Sequence, residues 1–219
     1  MAAAQSAAEM PLYEKLQSPK ERVEAVKTVL ARADGHSAGL LYMTAGAAFR
    51  DMHLEDSAFL FYAARLRAQF DRECFPATGT GGDSPFVAFN ALAQELGQRI
   101  NPAIMAKPEM FAKVIDRLKQ WEPKAPEDYD PGYDYSERKS EEAAIQATAE
   151  SRKTYVDGLS DLSTLLQDVD YFAAFKVMQA YNLGPLKDRP SDEEYAQAVE
   201  TIKRIEKEKG IDALGNSLD

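Results

Sequence analysis

The chain is short of the residues on which most enzyme chemistry depends. Its 219 residues include one cysteine, Cys74, and two histidines, His36 and His53. A single thiol excludes an intramolecular disulfide and a cysteine-built metal site. The histidines read as residues at the two ends of one helix, roughly 25 Å apart at about 1.5 Å per residue, too far to share a metal or a proton. With no histidine beside it, Cys74 reads as a buried, inert thiol rather than a nucleophile. Positive charge is also scarce: 26 Lys and Arg stand against 36 Asp and Glu, a formal charge of −10. Phosphate binding needs a basic footprint, so nucleic acid is a poor candidate partner, and an anionic membrane surface is disfavoured for the same reason. No apolar run approaches the ~20 residues of a membrane-spanning helix, so membrane insertion is not expected. No segment reads as a convincing β-strand, which leaves an all-α fold. No cofactor signature is found.

What is present is an ordinary globular composition, 45% hydrophobic and 28% charged, long enough for one large or two small domains. The pattern predicts an irregular bundle of about seven or eight helices. A flexible start over 1–10 is expected, then a helical domain over 11–210, then a fraying tail over 211–219. A division into subdomains 11–121 and 136–210 is open, joined by the acidic, Pro- and Tyr-rich segment 122–135. No signal peptide is read at the start. "AAAQSAAE" nevertheless resembles what remains after an A-x-A cleavage. A trimmed junction there implies a periplasmic protein; a natural frayed end implies a cytoplasmic one.

Local signals place the helices. Leu12, Tyr13 and Leu16 suit a short docked turn. Ser18, Pro19 and Glu21 read as N-cap, first helical residue and capping box of a helix that Gly35 ends in a left-handed position. Ser37 suits an N-cap. Ser84 starts another helix, which Asn101 and Pro102 are expected to interrupt. A further helix begins near Pro108 and ends at Trp121. Beyond the proline segment a long helix begins at Ser136 or Ser140, with a break expected at Asp157 and Gly158. The residues from Tyr171 to Tyr181 make the most apolar helix, read as buried. Ser191 and Glu194 form a capping box, and Gly210 closes the last helix.

The stretch 40–70 organises this reading. Tyr42, Ala45, Gly46 and Phe49 share one helical face, and Ala58, Tyr62 and Leu66 recur on the next helix. Small residues facing rings allow two helix axes to approach closely. On that argument Gly46→Leu is expected to destabilise more than Thr44→Leu. These residues, with a nine-residue step from Phe49 to Ala58, resemble one tetratricopeptide repeat. The pattern departs at Arg65 and Phe70, where a small residue and a proline belong, and no second copy recurs. The "FLFYAARLRAQF" helix followed by "WEPKAPEDYDPGY" is also similar to bacterial helical proteins, some of which accompany secreted toxins as immunity proteins. That similarity implies a role without implying site residues.

Two loops are the candidates for function. Gly79 to Ser84 is Gly-rich and precedes a helix, but no Lys-Ser/Thr follows it, so the phosphate-loop pattern fails. A hydrolase reading would use Ser84 with carboxylates such as Glu55 or Asp83. In the second loop, Asp128, Asp130 and Asp134 suggest a calcium loop, yet Gly132, Tyr133 and Lys139 occupy the fifth, sixth and twelfth positions, where an EF-hand needs other residues. Acid together with tyrosine suits a surface that grips a basic protein. Asp128, Tyr129, Asp130, Tyr133, Asp134 and Tyr135 are therefore the expected partner-binding residues. The function expected is that of a non-catalytic binding module, an immunity or adaptor protein that blocks a basic secreted toxin. The alternatives are the hydrolase and a structural scaffold. The oligomeric state is not readable.

Overall fold

The computed structural model describes residues 7–79 and 81–211. Expectations for residues 1–6 and 212–219 lie outside the described residues. Among those described, nine α-helices form an all-α bundle: α1 Met10–Gln17, α2 Arg22–Ala31, α3 Ala38–Arg50, α4 Leu54–Cys74, α5 Pro85–Met105, α6 Pro108–Gln120, α7 Glu141–Leu166, α8 Val169–Leu183 and α9 Asp192–Lys209.

Several starts and stops follow the side-chain chemistry. The Ser37 hydroxyl accepts from Leu40 N, Ser140 from Ala143 N, and Asp168 from Asp170 N and Tyr171 N. Each satisfies donors that a first helical turn leaves unpaired. Ser191 and Glu194 form a complete capping box, and Gly210 closes α9 with φ 65°. Other signals are overridden. Ser18 is the C-cap of α1, Pro19 to Glu21 form a turn, and α2 starts at Arg22 without a side-chain cap. Gly35 sits in a 3-10 turn rather than a left-handed position. Pro102 lies inside α5, whose last turn is held by Ile100 and Ile104, both fully buried. Gly158 is simply an interior residue of α7.

The centre of the bundle is α4, which packs against α3, α5, α6 and α7. It therefore touches helices on both sides of the segment 122–135. The turn between α3 and α4 closes because Met52 adopts φ 64°, letting His53 N reach Ala48 O at 2.9 Å. Within this hairpin Ala45 and Ala58 are fully buried, and the Ser57 hydroxyl donates to Ala45 O at 2.9 Å. Tyr42 and Phe61 meet edge-on with centroids 6.2 Å apart. Gly46 has a different neighbour from the one expected: a Cβ there would stand 3.2 Å from Leu96 Cδ2 of α5. The glycine admits α5, while the alanines admit α4.

One apolar cluster runs from Tyr13 of α1 to Ile205 of α9. A smaller one gathers Phe70, Cys74 and Phe75 at the end of α4 with Ala125, Tyr129 and Ala144. The second cluster attaches the acidic segment to the bundle. No helix among the described residues is long and apolar enough to cross a membrane.

Candidate functional site at the acidic segment

The segment 122–135 cannot be helical through Pro123, Pro126 and Pro131, so its backbone groups and its position need other partners. Arg67 of α4 supplies them. Its Nη1 donates to Lys124 O at 2.8 Å and to Asp34 O at 3.1 Å, and its Nη2 also reaches Lys124 O at 2.8 Å. Its Nε donates to the Tyr129 hydroxyl at 2.9 Å, and that hydroxyl donates to Asp71 Oδ2 at 2.8 Å. Asp71 is one helical turn beyond Arg67, with Oδ1 3.0 Å from Nε, and both side chains are fully buried. A buried charge is tolerable only when paired and hydrogen-bonded, and this guanidinium has partners on every nitrogen. Burial pushes the Asp71 carboxyl up to about 6, against the opposing pull of Arg67 and of the Tyr129 hydroxyl. Burial, then the Asp71 charge, holds the Tyr129 phenol well above its ordinary range.

The six residues expected to bind a partner fall into two groups. Tyr129 is buried, and Tyr133 is half-buried with its hydroxyl donating to Asp71 O and Phe75 O. These two phenols anchor the segment to α4. Tyr135 is 40% exposed but lays its ring edge-on against Phe75, 5.1 Å between centroids. Asp128 and Asp134 are exposed, and Asp130 is half-buried with Oδ1 accepting from Gly132 N at 2.8 Å. The outward chemistry is therefore mostly carboxylate. Of the nearby cations, Arg138 is exposed and donates to the carbonyls of Ala125, Pro126 and Glu127. Lys124 pairs with Asp34 at 2.6 Å. Among the described residues no group of three or more His, Cys, Asp or Glu side chains is arranged to hold a metal ion.

The two loops singled out in the sequence meet. Ala77 bridges Tyr135 in antiparallel fashion, Thr78 N donates to Asp134 O at 3.1 Å, and Ser136 N donates to Pro76 O at 2.9 Å. Between them lies an open cleft of about 500 Å³, lined on one side by Thr78, Gly79, Asp83 and Ser84 and on the other by Gly132, Tyr133 and Asp134. Gly79 is required by close approach, since a Cβ would stand 2.7 Å from Asp83 O. Ser84 precedes α5 as its N-cap residue, though its hydroxyl makes no capping bond. No histidine is among the residues lining this cleft.

A second polar cluster had no signal in the sequence. Glu9, buried in the 3-10 turn Ala7–Glu9, accepts from Ser37 N at 3.0 Å and from the Ser37 hydroxyl, and it lies 3.0 Å from His36 Nδ1. A serine, a histidine and a glutamate come together, but the carboxylate sits between the other two and the serine is fully buried. The cluster pins the 3-10 turn Ala7–Glu9 onto the start of α3 and offers no exposed nucleophile. Cys74 is buried with Sγ donating to Lys139 O, and burial raises its pKa. No family model matches this chain, and no curated protein or solved structure matches it.

Proposed function

We infer that this chain is a non-catalytic helical binding module whose acidic segment engages a basic protein. The observation that carries the reading is the one-sidedness of the segment. Five carboxylates and one cation, Lys124, lie between residues 122 and 135, and Lys124 is already paired with Asp34. The remaining field faces solvent on a scaffold fixed by Arg67, so little ordering cost accompanies binding. Such a field steers a basic partner and sharpens selectivity more than it adds raw affinity. The resemblance of residues 40–70 to a tetratricopeptide repeat, and of the wider pattern to bacterial immunity proteins, supports the narrower reading: an immunity or adaptor protein that blocks a basic secreted toxin. On that reading the chain is bacterial.

The test is capture of partners from the source bacterium with the wild type and with Asp128→Lys/Asp134→Lys, both exposed sites. A basic protein retained by the wild type, released by salt and lost from the variant supports the reading. Equal retention by both moves the interface elsewhere. The cleft that brings Asp83 and Ser84 against Asp134 keeps a hydrolase as the second reading. Hydrolysis of any ester in a broad screen that disappears in a folded Ser84→Ala variant would replace the binding role with an enzymatic one.

A further inference from the structure

The apolar helix α8 is not buried as its composition predicts. Tyr171, Ala174, Phe175 and Met178 face the core, but Val169 is 81% and Leu183 63% exposed. Val169, Phe172, Lys176, Ala180 and Leu183 fall in one arc of the helix, a stripe about 21 Å long at ~1.5 Å per residue. The neighbouring α9 occupies another side, facing Asp170, Ala174 and Val177. At its N-terminal end the stripe opens into a groove of about 920 Å³ between the start of α6 and the α7–α8 junction, walled by Met110, Leu166, Val169 and Phe172. Val169 and Leu183 are the exposed ends of the stripe, while Phe172 and Ala180 between them are half-buried; exposed apolar side chains beside a groove favour an interaction site.

The charge around it is opposite to that of the whole protein. Lys107 and Lys113 line the groove against one carboxylate, Glu109. Lys176 sits within the stripe, its ammonium 4.8 Å from the Phe172 ring centroid. The spacing also disfavours a second copy of the chain as the occupant. Val169 and Leu183 lie seven residues to either side of Lys176, and Phe172 and Ala180 lie four to either side. Antiparallel pairing of two α8 helices about a two-fold axis would match every apolar residue but would set Lys176 against its own copy. Like charges facing each other in an apolar interface oppose association. A carboxylate at the matching position on a different helix turns that repulsion into attraction.

We propose that the α8 stripe and the adjoining α6–α8 groove dock an amphipathic helix of a partner protein, one whose apolar face carries an acidic residue opposite Lys176. Helix-in-groove recognition reads anchors at this kind of spacing. The site is separate from the acidic segment and does not depend on it.

The experiment titrates the full chain with two synthetic helical peptides that carry leucines at the spacing of the stripe. One has glutamate and the other lysine at the position facing Lys176. Binding is followed by fluorescence anisotropy, with Lys176→Glu and Val169→Asp as variants. Both sites are exposed, and circular dichroism confirms that the variants fold. The glutamate peptide is expected to bind the wild type about tenfold more tightly than the lysine peptide. Lys176→Glu is expected to invert that order, and Val169→Asp to abolish binding of both. Binding of neither peptide, or the same preference on wild type and Lys176→Glu, overturns the proposal. A concentration-dependent dimer in sedimentation that Val169→Asp dissolves would assign the face to a second copy and overturn it as well.

Discussion

From Ser57 to Leu66, α4 is gripped by alanines and rings; from Arg67 to Cys74 it is gripped by a buried ion pair and two tyrosine hydroxyls. The first region is a packing contact. Its energy is spread over many small apolar contacts, and neighbours can yield by fractions of an ångström. The second is directional and concentrated in a few atoms. Its worth depends on every member being present, because a removed partner leaves a charge stranded where water cannot reach it. One helix thus uses non-directional burial to build the bundle and directional polar bonding to hold a proline-broken segment that has no helix of its own.

The sharpest way to break the comparison is Arg67→Ala. It strands Asp71 and unties Lys124 and Tyr129, and a loss of about 3–5 kcal/mol is expected, read from the urea midpoint. Arg67→Met combined with Asp71→Leu should recover much of that loss, because an apolar pair leaves no buried charge behind. A double variant as unstable as the single one would show that the segment, and not the charge balance, sets the cost.

Titration of Asp71 gives the next effect. Its folded-state pKa is raised to about 6 from an ordinary 3.8, so between those values the folded chain holds a proton that the unfolded chain has released. The contribution of Asp71 is fully present below about pH 4 and is lost as pH rises through about 6. Asp71→Asn cannot titrate. Across this window the wild type should lose on the order of 2–3 kcal/mol relative to that variant. Parallel stability curves for the two proteins would mean that Arg67 keeps Asp71 ionised throughout.

The smallest contrast lies in the packing region. Thr44 is fully buried with its hydroxyl on Leu40 O, whereas Gly46 is half-buried beside the movable end of Leu96. Thr44→Leu should therefore cost about 1–3 kcal/mol by overpacking and Gly46→Leu less, the reverse of the order that the sequence suggests. Thermal melts of the two variants check it. A larger loss at Gly46 would mean that Leu96 cannot move aside.

Legibility followed the range of each interaction. Ser37, Ser140, Ser191 and Gly210 act within three or four residues of themselves, and the structure has them where local chemistry puts them. Pro102 and Gly158 are also local signals, but each is outweighed by neighbours along the same helix that are buried against the bundle. The acidic segment was recognisable as an ordered excursion from its tyrosines. The direction in which they point was not, because their partners Arg67 and Asp71 lie 62 and 58 residues away. Glu9 was missed for the same reason, being 28 residues from Ser37.

By itself the amino-acid sequence determined that this protein is helical, that its charge is acidic, and where most of its helices begin and end. Those properties arise from residue composition, apolar periodicity and capping groups a turn away. Only the tertiary structure decided that α4 is the shared centre, that Gly46 faces α5, that Tyr129 and Tyr133 turn inward while carboxylates turn outward, and that α8 leaves Val169 and Leu183 exposed. Each of these depends on which distant side chain shares a space, and that is set by the packing of the whole chain.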